Sequence, residues 1–236
     1  MAKDTTGRLH VQVKTKVKTG GKRKLSSKLW LERQLNDPYV VKAKAMGYRS
    51  RAAFKLLEID DKFRLLKHGM AVVDLGAAPG GWSQIAAKRV GSVDGKGKVV
   101  AIDLLDMPEI AGVEFAQLDF MDNDAPDKLK AMLGGGADLV MSDMAANTTG
   151  HRKTDQLRIV GLIETAAAFA CDVLKPGGSF LAKTFQSGAD ADLLAQLKRD
   201  FATVRHVKPG ASRADSSERY VLATGFRGAP ASPGDG

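Results

Sequence analysis

The stretch Val72-Val73-Asp74-Leu75-Gly76-Ala77-Ala78-Pro79-Gly80-Gly81-Trp82 constrains this chain more than any other. Met70 to Leu75 is apolar except for Asp74 and has a β-branched centre, which suits a buried strand. Small residues, Pro79 and two glycines then break the pattern, and a helix resumes from Trp82-Ser83-Gln84. In an α/β sheet such a turn lies at the carboxyl edge of a strand, where ligands bind, and glycines allow close approach to the backbone.

What the turn lacks narrows the ligand. A dinucleotide fingerprint needs glycine two residues after Gly76, where Ala78 stands; a phosphate-binding P-loop would follow its glycine with Lys, where Trp82 stands. Asp74, expected at the mouth of the turn, would repel phosphate and attract an ammonium. The pattern suits a cationic, phosphate-free nucleoside, a description that S-adenosylmethionine fits.

The net charge of +9 is unevenly spread over the 236 residues. Residues 1–28 hold nine Lys/Arg against Asp4 alone, a charge of +8; residues 29–55 add +4, and 56–236 sum to −3. A polyanion is the natural partner. Nucleic acid is expected rather than a membrane, because the basic segment lacks a large apolar face. A transit peptide would be richer in Arg than this Lys-dominated stretch. The single Cys171 excludes an internal disulfide and reads as a small core residue. No apolar run reaches membrane-spanning length. These features predict a soluble protein of a reducing compartment, here the cytoplasm.

Residues 1–28 are expected to be a basic, disordered RNA-binding tail, and residues 29–60 a helical segment capped by Ser26-Ser27 and interrupted by Asn36-Asp37-Pro38. From Met70 strands and helices alternate, with strands expected at 70–75, 98–102, 113–116, 137–142, 178–184, 203–208 and 218–224. Helices fall at 82–90, 125–133, 155–174 and 190–200. The alternation argues a Rossmann-like, seven-stranded, mostly parallel α/β sheet. The last two strands have no helix between them and predict an antiparallel C-terminal edge. Residues 61–227 then form the catalytic domain, and 228–236 a disordered tail.

Carboxylates stand just past three strand ends: Asp103, Asp119 and Asp143. Asp103 is placed to hold a nucleoside ribose by its hydroxyls. Asp119 is placed at the adenine edge beside Phe120, and Asp143 near the donor methyl. Lys183 ends a strand between Ala182 and Phe185, Glu218 opens the last strand, and Lys55 lies on a helix before the sheet. A partly desolvated lysine near a second cation can lose its proton and serve as a general base. The competing reading is a plain ion-pair network at a seam of the fold.

Five blocks carry a family resemblance: Arg49-Ser50-Arg51-Ala52-Ala53-Phe54-Lys55-Leu56, Val73 to Gln84, Met141-Ser142-Asp143-Met144-Ala145, Gly177-Gly178-Ser179-Phe180 on to Lys183, and Ser212-Arg213-Ala214 to Ser217-Glu218-Arg219-Tyr220. From Trp30 to Gly225 the chain resembles the FtsJ/RrmJ (RlmE) family of bacterial enzymes that 2′-O-methylate a uridine of large-subunit ribosomal RNA. The resemblance implies a catalytic set of Lys183, Asp143, Lys55 and Glu218. It also implies S-adenosylmethionine held at Gly80, Trp82, Asp103, Asp119 and Asp143, with no metal. Ala146 stands where the family loop usually has proline, and the basic tail goes beyond the family pattern.

The function expected is therefore S-adenosylmethionine-dependent 2′-O-methylation of a uridine in 23S ribosomal RNA. The partner is the RNA or the 50S subunit, with no membrane and no protein partner, by a monomer. The rivals are a transfer-RNA or cap 2′-O-methyltransferase and a non-catalytic RNA-binding assembly factor. Ala78 argues against an NAD-dependent oxidoreductase.

Overall fold

The structure is a computed structural model, and it describes residues 28, 31–32, 34–145, 152–185, 191–213 and 215–228. The expected basic tail, the Ser26-Ser27 cap, Trp30, Ala146 and the C-terminal tail beyond residue 228 lie outside the described residues. Leu31, Glu32, Gln34 and Leu35 are helical. There follow α1 (Pro38–Ala45) and α2 (Ala52–Phe63), then β1 (Ala71–Leu75), α3 (Gly81–Val90) and a 3-10 turn, Ser92–Asp94. The rest of the chain is β2 (Lys98–Asp103), β3 (Glu114–Gln117), α4 (Ala125–Leu133), β4 (Ala137–Ser142), α5 (Arg152–Val173), β5 (Leu174–Phe185), α6 (Ala191–Asp200), β6 (Phe201–Val207) and β7 (Glu218–Phe226).

The expected interruption at Asn36-Asp37-Pro38 is where α1 begins: the Asp37 carboxylate accepts from the Tyr39 amide, and Pro38 occupies the first turn, where a missing N–H costs nothing. The seven strands form one sheet in the order β3-β2-β1-β4-β5-β7-β6. Strands β3 to β5 are parallel, and β7 is antiparallel to both of its neighbours. The last strand thus enters between β5 and β6 and leaves β6 at the edge. Pro176-Gly177-Gly178 does not sit in a loop ahead of β5. It lies within that strand, and the pairing with β4 shifts register between Ala137 and Leu139.

Helices cover both faces. On one, Ala53, Leu56 and Ile59 of α2 pack with Trp82, Ile85 and Ala86 of α3 against Val72, Leu139 and Leu181. On the other, Leu129, Ile163, Ala166, Phe169, Leu193 and Leu197 cover Val73, Leu75, Val100 and Val140. Each fully buried Leu, Ile or Val contributes about 1.5–3 kcal/mol. The segment boundary expected at residue 60 falls inside α2, which is as much part of the core as α3. Lys55 is therefore carried by a helix anchored in the sheet. No helix among the described residues is long and apolar enough to cross a membrane.

Candidate active site

A cavity of about 370 Å³ opens at the carboxyl ends of the parallel strands. Gly76, Ala78, Asp103, Asp119, Phe120, Asp143 and Met144 are among its lining, together with Ile102, Leu104, Leu105 and Leu162. All three strand-end acids read from the sequence converge here. Backbone amides hold the side chains of Asp103 and Asp119. Asp103 accepts from the Ala78 amide at 2.9 Å through Oδ2 and from the Leu105 amide at 2.8 Å through Oδ1. Asp119 accepts from the Met121 amide at 2.9 Å. Such a bond to a charged acceptor contributes about 1.5–3 kcal/mol and fixes the carboxylate before any ligand arrives. The apolar lining beside these acids suits a nucleoside, with a flat base to cover and hydroxyls to bind.

Two lysine–carboxylate pairs stand beside the cavity. Lys183 Nζ lies 2.9 Å from Asp143 Oδ1 and donates to the Asp143 carbonyl at 2.6 Å. Lys55 Nζ lies 2.7 Å from Glu218 Oε1, which also accepts from Ser212 Oγ at 2.9 Å. The four side chains are between 8% and 18% exposed, so both pairs are largely withdrawn from water while still reachable. Strand pairing assembles them. Ser142 is opposite Ala182 in the β4–β5 register, so Asp143 and Lys183 emerge side by side. Lys183 is in turn opposite Tyr220 in the antiparallel β5–β7 pair, with Phe185 opposite Glu218. Residues two apart share a face, so Lys183, Tyr220 and Glu218 all point the same way.

Tyr220 is the residue that sequence reasoning passed over. It is fully buried, its ring centroid 5.5 Å from that of Trp82, and its hydroxyl donates to Asp143 Oδ1 at 2.8 Å. Burial, then the nearby Asp143 and Glu218 carboxylates, push its phenol well above the ordinary range, so it remains a neutral donor. The signal for it was the period of two from Glu218 along β7.

The structure adds three facts about the glycine turn. Asp74 is not at the mouth. It shares the face of Val72, which α3 covers, and is fully buried there, accepting from Ser83 Oγ at 2.6 Å. Its Oδ1 has no hydrogen-bond partner among the described residues. Burial, followed by the charges of Asp143 and Asp103, raises its pKa from 3.8 to about 7 against the Ser83 bond, which lowers it. The glycines, secondly, make room for the chain itself. A Cβ on Gly76 (φ +78°) would come within 2.7 Å of Met144 Cγ, and one on Gly80 (φ +101°) within 2.5 Å of Ile110 Cδ1. Thirdly, Gly80 and Trp82 do not line the cavity. Trp82 is 2% exposed and donates from its indole to the Ala52 carbonyl at 2.9 Å, tying α3 to α2. Its side chain is a buried strut between the two helices.

Residues 48–226 match the FtsJ-like methyltransferase family. The chain is 94% identical over 228 residues to a Bradyrhizobium diazoefficiens protein named Ribosomal RNA large subunit methyltransferase E, covering 97% of this chain and 98% of that one. A Nitrobacter hamburgensis protein of the same name is 79% identical, over 98% of this chain and 100% of its own. Among solved structures, a Plasmodium falciparum protein described as a ribosomal RNA methyltransferase is 30% identical with a TM-score of 0.67, covering 77% of this chain and all of that one. With strand-end acids around a nucleoside-sized cavity and buried lysine–carboxylate pairs beside it, this chain belongs to the FtsJ-like methyltransferase family.

Proposed function

We propose that this chain methylates a ribose 2′-oxygen in large-subunit ribosomal RNA, the acceptor being a uridine of 23S RNA, with S-adenosylmethionine as donor. One observation carries the reading: Asp143 belongs to both halves of the site, lining the cavity while its carboxylate and carbonyl hold the Lys183 amine. A carboxylate in that position joins a donor pocket to a proton acceptor. The names and high identity of the relatives support ribosomal RNA as the substrate.

The residues present fit the donor. Asp103, fixed by two amides, would take the ribose hydroxyls; Asp119 and Phe120 would border the base; Asp143 would lie towards the methionine end. Gly80 and Trp82 would bear on the donor only through the backbone that opens α3. When bound, the donor supplies a sulfonium-activated methyl group. Lys183 would accept the 2′-hydroxyl proton at Nζ as the oxygen forms its new bond to carbon and the carbon–sulfur bond breaks. Asp143 would hold that amine in line with the hydroxyl. Lys55 and Glu218, paired at 2.7 Å, would fix the charge on the acceptor side. Alignment of the two reactants would supply much of the rate.

Residues 1–28 fit a role as an RNA-binding arm, since they hold nine basic residues against one acid. Each phosphate neutralised contributes about 0.7–0.9 to the slope of log affinity against log salt, so deleting the arm should lower that slope by about 3–4 units if half its basic residues touch phosphate. Parallel salt titrations for the truncated and full-length chains would remove the arm from RNA binding. An RNA substrate of this kind also fits a cytoplasmic protein.

The function is tested by mapping ribose methylation on ribosomal RNA from cells with and without the gene, then restoring it with purified protein on free 23S RNA and on 50S subunits. Loss of one 2′-O-methyl in 23S RNA is expected. An unchanged ribosomal map with a lost methyl in transfer RNA would favour the transfer-RNA reading.

A further inference from the structure

We infer that Tyr220 is a positioning residue that fixes the Asp143 carboxylate on which the Lys183 amine rests, through the hydrogen bond its hydroxyl donates to Asp143. The inference rests on the reading of Lys183 as the proton acceptor.

The geometry is specific. Tyr220 OH and Lys183 Nζ converge on one and the same atom, Asp143 Oδ1, at 2.8 and 2.9 Å. Two donors on one oxygen hold it from two sides, and a bond to a charged acceptor is the stronger kind. A carboxylate pinned by the phenol offers the amine one fixed anchor, so Nζ stays aligned on the acceptor side.

The phenol is fixed for this task. Its backbone is paired on both sides, to Lys183 on β5 and to Val207 on β6, and its ring packs against Trp82 from α3. The side chain is fully buried, so water cannot replace its bond. The charged groups around it come from four elements: Asp143 from the end of β4, Lys183 from β5, Glu218 from β7 itself, and Lys55 from α2, whose Nζ lies 5.8 Å from the ring centroid. Asp74 of β1 bears on the set through its interaction with Asp143. Tyr220 thus stands between the two lysine–carboxylate pairs and touches the first directly. The phenol itself remains neutral at assay pH, because burial and both carboxylates oppose its ionisation.

The test is Tyr220→Phe, which keeps the ring and its packing on Trp82 and removes one oxygen. Methyl transfer to the 2′-oxygen of 23S RNA is followed by incorporation of labelled methyl across a pH series, with KM for RNA and donor and the melting temperature recorded in parallel. Loss of a hydrogen bond to a charged acceptor predicts a kcat lower by about ten- to a hundredfold. Both KM values and the melting curve should stay near those of the wild type across the pH series. Replacement of Tyr220 by Leu, which loses ring and hydroxyl together, should lower melting temperature as well and so separates packing from positioning. A Tyr220→Phe enzyme with wild-type kcat would overturn the inference. So would a loss accompanied by weakened donor binding or a lowered melting temperature. If the wild-type chain itself transfers no methyl to the 2′-oxygen, the functional reading falls and takes this inference with it; an active wild type with an unaltered variant removes Tyr220 alone.

Discussion

The two halves of the sheet build the site by different means. In the parallel half, β3-β2-β1-β4, the functional carboxylates stand where strands end, and turn amides fix two of them: Ala78 and Leu105 hold Asp103, and Met121 holds Asp119. In the antiparallel half, Lys183, Tyr220 and Glu218 come from strand interiors and starts, and cross-strand register gathers them. The first is a pocket made by turns and the second a charged cluster made by pairing. Residues of the pocket should therefore fail one at a time. Residues of the cluster share atoms, so their effects should be coupled and non-additive.

The largest effect should come from Lys183→Ala. A lost general base typically costs about 10²–10⁴ in rate. Donor affinity should hardly move, because the amine serves the acceptor side. Transfer kinetics with calorimetry of donor binding check both halves of the statement, and activity within a few-fold of wild type would remove Lys183 from the chemistry.

Asp74 tests the seam between the halves, since it lies under the glycine turn and its pKa responds to Asp143 and Asp103. Its folded-state pKa of about 7 stands above the unfolded value of 3.8. Between those values the native chain keeps a proton that the unfolded chain releases, so stability falls as pH rises through that window and levels off above it. Asp74→Asn cannot ionise and escapes the fall. Its stability relative to wild type should improve by up to about 4 kcal/mol between pH 4 and pH 7. Denaturant melts at several pH values measure it, and parallel pH dependences would mean the carboxyl is ionised in place.

Asp103→Ala confines the damage to the pocket. It should weaken donor binding by about 1.5–3 kcal/mol and leave RNA affinity unchanged. An equal loss of RNA affinity would break the separation drawn between the halves.

How much of this was legible in the sequence follows the same division. The strand-end acids and both lysines could be read because strands announce their ends locally: Val99 to Ile102 leads straight to Asp103, and Val140 to Ser142 to Asp143. Tyr220 could not be given its task, because its partner is 77 residues away and only the β5–β7 register brings them together. Asp74 was misplaced for a related reason. The chain shows that it alternates with Val73 and Leu75, but not that α3 closes over that face. Arg49 and Arg51 stand in the sequence only as two basic residues of the first family block. In the fold Arg49 donates to the Pro108 and Glu109 carbonyls, and Arg51 pairs with Asp37 at 3.1 Å and reaches the Ala211 carbonyl. Both brace loops around the site.

The smallest effect supplies the control for the whole comparison. Strands β4 and β5 carry a second lysine–aspartate pair at their opposite ends, where Lys175 Nζ contacts both oxygens of Asp138 at 3.0 and 3.1 Å. The chemistry is the same as in Lys183–Asp143, and so are the two strands. The surroundings differ: Lys175 is 49% exposed against 10% for Lys183, and Asp138 already accepts from the Ala71 amide at 2.8 Å. Water screens the exposed pair, and its net contribution to stability should be about 0–1 kcal/mol. Removing the lysine leaves Asp138 anchored to β1 and still hydrated, so no buried charge is stranded. Lys175→Ala should therefore melt within a few degrees of wild type and transfer methyl at the wild-type rate at every pH. A fall in kcat approaching that of Lys183→Ala would mean that any ion pair between β4 and β5 is needed to keep the strands in register. Burial at the carboxyl end, and the second donor that Tyr220 supplies there, would then no longer distinguish the reactive pair from its twin.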